Sequence, residues 1–200
     1  MNGMRIMYSN NDKRIEYYKL ILEKDIDFVI DYALPEGYSF EFYKAGDRDA
    51  WIEIEKSAEE FCTYKEGLEA WNKYYSDKEN ELLNRMVFVI NDEGKKVATA
   101  TAFYDEKDET GSAWLHWVAV KKEFQGKGLS KPLITNVLKI MQSLGYTHAK
   151  IPTQTNTWLA VKIYLDLGFC PAPENAVDSY NGWCIIKQLT NHKALSDFNI

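Results

Sequence analysis

A short segment with two glycines carries the clearest chemical signal in this sequence. Residues 126–130 read Gly-Lys-Gly-Leu-Ser, and they lie between an apolar stretch ending at Val120 and a segment whose apolar residues recur every three or four positions. The first N–H groups of a helix have no intrahelical acceptor, and glycine allows the backbone to turn such groups toward a ligand. The segment therefore predicts a main-chain site for an anion, such as a phosphorylated ligand.

The spacing of these glycines excludes two common phosphate-binding loops. A Walker A loop has four residues between its glycines and then Lys-Ser/Thr, and a dinucleotide-binding loop reads Gly-x-Gly-x-x-Gly. This chain has neither pattern at Gly126 and Gly128. A lone Gly-x-Gly also fits an ordinary turn from a strand to a helix, so a second signal is needed.

The second signal is a set of residues spaced four apart. Asn156, Ala160 and Tyr164 fall on one face of a predicted helix that Gly168 ends. Taken singly, Asn156 could be a helix N-cap and Tyr164 a core tyrosine.

Together these motifs closely resemble the GNAT superfamily of N-acetyltransferases. The resemblance includes the strand Leu115 to Val120 and the pattern Glu123-x-x-Gly126-x-Gly128, and it is specific from about residue 113 to 170. The family pattern has Gln or Arg where this chain has Glu123. The resemblance implies a single α/β domain with a mixed, mostly antiparallel sheet of about seven strands, splayed at strands 4 and 5 and flanked by about four helices.

The resemblance also implies acetyl-CoA as the acyl donor and a set of residues around it. The pyrophosphate would bind the main chain of the loop, and the pantetheine arm and acetyl carbonyl would bind free backbone groups of the preceding strand. Asn156 would contact the cofactor, Ala160 would leave room for the pantetheine arm, and Tyr164 would protonate the departing thiolate. The implied loop residues are Gln125, Gly126, Lys127, Gly128, Leu129 and Ser130, and the implied strand residues are Val118 and Val120.

Acyl transfer to an amine needs a proton acceptor, stabilisation of an oxyanion and a proton donor for sulfur. A phenol has an ordinary pKa of about 10, so Tyr164 is protonated at neutral pH and suits the last step. His116 is our candidate base, since strand alternation predicts that it shares a face with Val118. It could instead be a core histidine. Glu59 or Glu60 acting through a water is the alternative, and attack by an already neutral amine would need no base.

Length and patterning predict one domain of 200 residues with short extensions. We expect an N-terminal extension over 1–36 that packs on the core or at an interface, an acetyltransferase domain over 37–190, and a tail over 191–200. Within the domain, residues 46–76 are typical of two helices. Asn181-Gly182 is typical of a turn, so we predict a closing β-hairpin after Phe169.

Cysteine usage and the N-terminus indicate a cytoplasmic protein. Cys62, Cys170 and Cys184 are too few and too scattered for a disulfide framework or a zinc site, so no metal is expected. The first fourteen residues have no apolar core of a signal peptide, and no stretch of about 18 apolar residues suggests a membrane span.

Charge is concentrated in the two predicted helices. Residues 47–81 contain eleven acidic and five basic side chains, an excess that equals the net charge of −6 of the whole chain. In GNAT folds this helical pair walls the acceptor site, so a cationic amine on a small molecule or peptide is the expected acceptor, although such a surface is also typical of a solvated helical face. We expect no nucleic acid or membrane partner, since no basic patch or basic amphipathic helix occurs, and a homodimer is possible. The alternative function is a non-catalytic acyl-CoA sensor or interaction module with the same fold.

Overall fold

A computed structural model of the chain describes residues 11–104, 106, 108 and 110–198. Seven strands form one mixed sheet in the order β2-β3-β4-β5-β6-β1-β7. Pairing is antiparallel from β2 to β5, whereas β5 and β6 are parallel. The strands are β1 (Lys19–Asp25), β2 (Tyr38–Phe42), β3 (Met86–Asn91), β4 (Lys96–Phe103), β5 (Ala113–Val120), β6 (His148–Gln154) and β7 (Cys170–Pro171).

The described residues form seven α-helices, rather than the four expected. They are α1 (Arg48–Ser57), α2 (Tyr64–Tyr74), α3 (Glu79–Leu82), α4 (Ser130–Ser143), α5 (Trp158–Asp166), α6 (Pro173–Asp178) and α7 (Tyr180–Thr190). None of the helices in this part of the chain is long and apolar enough to cross a membrane. The predicted α/β class and the mixed, mostly antiparallel sheet are confirmed.

The chain contacts separate into a larger unit, Glu23–Ile151, and a smaller unit made of the described residues up to Leu22 with those from Pro152 onward. The larger unit contains β2 to β5, and α4 packs against β4 and β5. Helices α1 and α2 cover a core that includes Trp51, Trp71 and Tyr75, which are at most 3 % exposed. The predicted helix pair is therefore present, with Thr63 capping α2 by accepting a hydrogen bond from the Glu66 N–H.

The predicted closing hairpin is wrong, because the smaller unit ends in two helices instead. Pro173 lies in the first turn of α6, where its missing N–H costs nothing, and Trp183 and Ile186 lie on the buried face of α7. Gly182 is inside α7 and is not a turn residue. A Cβ on Gly182 would lie 2.6 Å from the Cβ of Tyr18, so glycine here permits close packing of the helix.

Gly182→Ala should therefore destabilise the protein, although alanine is the better helix former by about 1 kcal/mol. We expect a net loss of about 1–3 kcal/mol in the free energy of unfolding, since the added methyl group would overlap the Cβ of Tyr18, which cannot move without its backbone. Urea denaturation measures the change. Asn181→Ala, at the adjacent exposed position of α7, is the control and should be neutral or slightly stabilising. Equal stability of both variants would contradict the close contact.

The N-terminal extension supplies a strand to the sheet. Within the predicted extension over 1–36, Lys19–Asp25 is strand β1. The first ten residues of this predicted extension, and the last two of the predicted tail, lie outside the described residues. The boundaries at residues 36 and 190 stay predictions.

Candidate functional site

The glycine segment forms a loop rich in free main-chain N–H groups. Gly126 and Gly128 have φ angles of 73° and 80°, which favour glycine, and Leu129 leads directly into α4. Within the described part of the chain, no protein group accepts a hydrogen bond from the N–H groups of Gly126, Lys127, Gly128, Leu129 or Ser130. Alternating backbone conformations of this kind make a concave anion site, and the N-terminus of α4 adds its dipole.

The start of the loop is fixed by a side chain. The Gln125 side-chain amide donates to the Val120 carbonyl over 2.9 Å, and the Gln125 N–H donates to the Lys122 carbonyl over 3.3 Å. Gln125 therefore differs from the residues after it, because its N–H is used inside the turn. The Val120 carbonyl, one of the backbone groups predicted to hold the pantetheine arm, accepts this bond.

Strand β5 carries a β-bulge opposite β4. His116 pairs with Thr101 and Ala119 with Thr99, so two residues of β5 lie opposite one residue of β4. Trp117, within the bulge, has a φ of 50°. The bulge interrupts the regular alternation from which His116 and Val118 were predicted to share a face. The adjacent rings of His116 and Trp117 both contact Tyr74, at 4.9 and 6.0 Å between centroids.

The predicted splay follows the same strand. In the described pairing, β5 and β6 are matched only at Ala113 with Ala149 and at Trp114 with Lys150. Beyond this point β5 continues to Val120 without a register partner on β6. The splay was expected between strands 4 and 5 of the family core. Because the N-terminal extension adds β1 before that core, these strands are β5 and β6 of this chain.

His116 is anchored through one ring nitrogen. The Tyr75 hydroxyl donates to the Thr101 Oγ1 over 3.2 Å, so the His116 Nδ1–H donates to the Tyr75 oxygen over 3.1 Å and Nε2 keeps its lone pair. Burial, with a smaller contribution from the Lys73 charge, lowers the pKa of His116 to about 3. The ring is therefore neutral at pH 7 and a weak base, and its role in proton transfer stays a prediction.

The two alternative bases differ in their surroundings. Glu59 forms an ion pair with Lys122 at 2.7 Å. Glu60 is exposed, but the surrounding protein partly desolvates its carboxyl and raises its pKa above the ordinary value, closer to the range useful for a base.

Sequence reasoning missed Glu55, which is fully buried in α1. Within the described chain, neither of its carboxyl oxygens has a hydrogen-bond partner. Burial raises its pKa well above 4.5, and the Glu60 charge adds to the effect. A signal was present, because Glu55 follows Trp51 by one helical turn and so lies on the same apolar stripe.

The predicted residues of the smaller unit lie on and just before α5. Asn156 belongs to a short 3-10 helix, so the predicted helix begins two residues later than this asparagine, at Trp158. The Asn156 side-chain amide donates to the Asn11 Oδ1 over 2.6 Å, whereas its own Oδ1 is buried without a partner in the described chain. Ala160 is half-buried, and Tyr164 is 5 % exposed with its ring against Phe169.

Comparison with known proteins tests the resemblance directly. The model of the acetyltransferase (GNAT) family matches residues 48–169, which is more than half of the chain. The chain belongs to the GNAT acetyltransferase family. The search of curated proteins finds no match.

Solved structures show the same GNAT fold at low sequence identity. A GCN5-related N-acetyltransferase from Sphaerobacter thermophilus has a TM-score of 0.62 and 16% identity, over 77% of this chain and 48% of that one. A GNAT-family acetyltransferase from Colwellia psychrerythraea has a TM-score of 0.61 and 15% identity, over 79% and 55%. This chain thus spans about half the length of these two structures, and the likeness concerns the fold.

Membership in the GNAT family gives the loop and the bulge a common context. Both lie inside the matched range, as do Asn156, Ala160 and Tyr164. The family is one of acetyltransferases. The acceptor and the roles of individual residues are matters for proposal.

Proposed function

We propose that the protein transfers an acetyl group from acetyl-CoA to a primary amine, by direct attack while both substrates are bound. The observation that carries this proposal is the row of unpartnered N–H groups at residues 126–130, at the start of a helix in a GNAT domain. Five neighbouring donors suit the charged oxygens of a pyrophosphate, which is the part of coenzyme A that a main-chain anion site can bind.

The fit of coenzyme A is supported at a second place. The buried Asn156 Oδ1 has no partner in the described chain. Burying a carbonyl oxygen costs stability unless a hydrogen-bond donor reaches it. An amide N–H of the pantetheine arm would supply such a donor. Ala160, one helical turn further along, has the smallest side chain that a helix favours and so leaves space beside it.

Bound acetyl-CoA would supply an activated acetyl group. The loop N–H groups would hold its phosphates, and the bulge at Trp117 would leave main-chain groups of Val118 and Val120 for the acetyl carbonyl and the pantetheine arm. The amine nitrogen forms the new bond to the acetyl carbon and gives up a proton, and the Tyr164 hydroxyl gives a proton to the departing sulfur. His116 Nε2, Glu60 or solvent would take the proton from the amine.

We also propose a cytoplasmic protein that acts on an amine of a small molecule or a peptide. Cys62, Cys170 and Cys184 form no disulfide in the described chain, which suits a reducing compartment. The excess of acidic residues over 47–81 favours a cationic acceptor and disfavours nucleic acid.

The test of the cofactor site is a calorimetric titration with acetyl-CoA, with free CoA and S-acetylpantetheine as comparison ligands. We expect micromolar affinity for the first two and at least a tenfold weaker affinity for S-acetylpantetheine, which lacks the pyrophosphate. Equal affinities would contradict the loop site, and no binding of acetyl-CoA would contradict the proposed function. Binding without transfer across a broad panel of amines would favour an acyl-CoA sensor.

Two glycines provide a matched pair of variants for the same titration. Gly126 and Gly94 have φ angles of 73° and 75°, and a Cβ added to either would have no atom within 4 Å. Gly126→Ala and Gly94→Ala should therefore lose similar stability, about 1–2 kcal/mol each, from the left-handed backbone. Only Gly126→Ala should weaken acetyl-CoA binding, by at least tenfold, because it disturbs the N–H groups of the loop.

A further inference from the structure

The core between α1, α2 and β5 contains a carboxyl group that the proposed mechanism does not use. Glu55 is 0 % exposed, and in the described chain neither oxygen receives a hydrogen bond. A buried carboxyl without a partner costs stability, and such groups are kept chiefly at functional sites. The observation points to a ligand that supplies the missing donor.

Glu55 lies beside a cluster of aromatic rings, formed by Trp51, Trp71, Tyr74, Tyr75 and Trp117. Trp51 precedes Glu55 by one helical turn and contacts Trp71, Tyr75 and Trp117 at 5.4, 5.5 and 5.5 Å between ring centroids. Because Trp51 and Glu55 are one helical turn apart on α1 and both are buried, the carboxyl lies next to this cluster.

This combination is selective for an organic cation. Aromatic faces attract ammonium groups, most strongly where water is excluded, and a carboxylate supplies the opposite charge and the hydrogen-bond acceptors. The described residues contain no group of three His, Cys, Asp or Glu side chains that could hold a metal ion. The indole N–H groups of Trp51 and Trp117 also lack a hydrogen-bond partner in the described chain.

The aromatic cluster reaches the surface on one side. Trp51, Trp71 and Tyr75 are buried, but Phe61, Tyr74 and Trp117 are only partly buried and form its outer side. The rings are in mutual contact in this structure, so a guest must displace an outer side chain. Trp117 lies in the bulge of β5, directly before Val118, and its movement would open the cluster next to the strand predicted to hold the acetyl group.

We propose that Glu55 and the aromatic cluster bind the ammonium group of the acceptor, so that the protein selects amines that enter as cations. The inference rests on the proposed function, because it names the recognition element of the same acetyl transfer. Glu55 is here a binding group, which gains from the ligand the partner that the folded chain does not provide. The excess of acidic residues around α1 and α2 favours approach of such a ligand.

The experiment follows tryptophan emission while butylammonium, 1,4-diaminobutane or glucosamine is added to the full chain in the presence of CoA. Three of the rings in the cluster are tryptophans, so occupancy should shift the emission saturably. We expect at least one of the three amines to do so, and 1-butanol, which carries no charge, to give no saturable change. Glu55→Gln should weaken the binding of that amine by at least tenfold.

Glu53→Gln is the matched control, since Glu53 lies on the same helix but is exposed and pairs with Lys121 at 3.6 Å. Its amine affinity should stay within twofold of the original. No saturable shift with any of the three amines, or equal amine affinity of Glu55→Gln and the original protein, would overturn the inference. Acetyl-CoA affinity is measured in the same samples: if it is intact and dependent on the pyrophosphate, failure concerns only the Glu55 site, and if it is absent, the proposed function fails.

Discussion

Replacing Tyr164 with phenylalanine should lower the rate of acetyl transfer by about a hundredfold or more, while acetyl-CoA affinity stays nearly unchanged. A positioned proton donor typically contributes a factor of about 10²–10⁴ to a rate. The Tyr164 ring is 5 % exposed and packs against Phe169 at 6.2 Å between centroids. Phenylalanine keeps this packing and removes the hydroxyl proposed as the proton donor, so the loss of rate should appear in the chemical step.

Single-turnover kinetics with acetyl-CoA and an amine acceptor is the appropriate measurement, because it separates the chemical step from product release. Tyr180→Phe provides a control, since Tyr180 is an exposed tyrosine in the same unit, 42% accessible at the start of α7. Its single-turnover rate should match that of the original protein. If Tyr164→Phe also kept the original rate, the assignment of Tyr164 as proton donor would have to be abandoned.

The titratable groups beneath α1 and α2 share one electrostatic property. Burial lowers the pKa of His116 and raises the pKa values of Glu55 and Tyr75. Each shift favours the neutral form, so at neutral pH this region holds little charge of its own. A cationic acceptor would therefore bring the charge with it, and its binding would favour the ionised form of Glu55, which then supplies the opposite charge.

Local patterns made much of the fold predictable. Strand β5, the loop at residues 126–130 and helix α4 follow one another within about thirty residues, and each is encoded by short-range periodicity and glycine placement. The splay between β5 and β6 was expected from the resemblance to the family, and the restricted pairing at Ala113 and Trp114 confirms it.

The failures lie where tertiary packing overrides a local signal. Asn181-Gly182 is a strong turn signal, yet Gly182 is inside a helix, where its lack of a side chain permits the close approach of Tyr18. The relation between His116 and Val118 was predicted from regular alternation, which the bulge at Trp117 removes. Acidic residues on a helix are ordinarily solvated, so the complete burial of Glu55 emerges only from the packing of α1 on the sheet.

Glu55 should also leave a distinctive mark on the pH dependence of stability. Burial raises the pKa of Glu55 well above 4.5 in the folded protein, so the folded state binds one proton more than the unfolded state at pH values between the two. The contribution of Glu55 to the free energy of unfolding is fully present below its pKa in the unfolded state. It is lost as the pH rises through its pKa in the folded state, with a limiting slope of about 1.4 kcal/mol per pH unit. Glu55→Gln removes the titrating group and should flatten this decline.

Urea denaturation at pH 5, 6 and 7 tests the sign. The free energy of unfolding of Glu55→Gln minus that of the original protein should increase with pH, whereas the same difference for Glu53→Gln should stay nearly constant. Other titrating groups near Glu55, including Glu60, Tyr75 and His116, are common to both proteins and largely cancel in the difference. If the free energy of unfolding of Glu55→Gln and that of the original protein changed in parallel with pH, Glu55 would have a partner in solution. A rising difference, together with loss of amine binding, would mean that the fold tolerates a destabilising acid because the acceptor needs it.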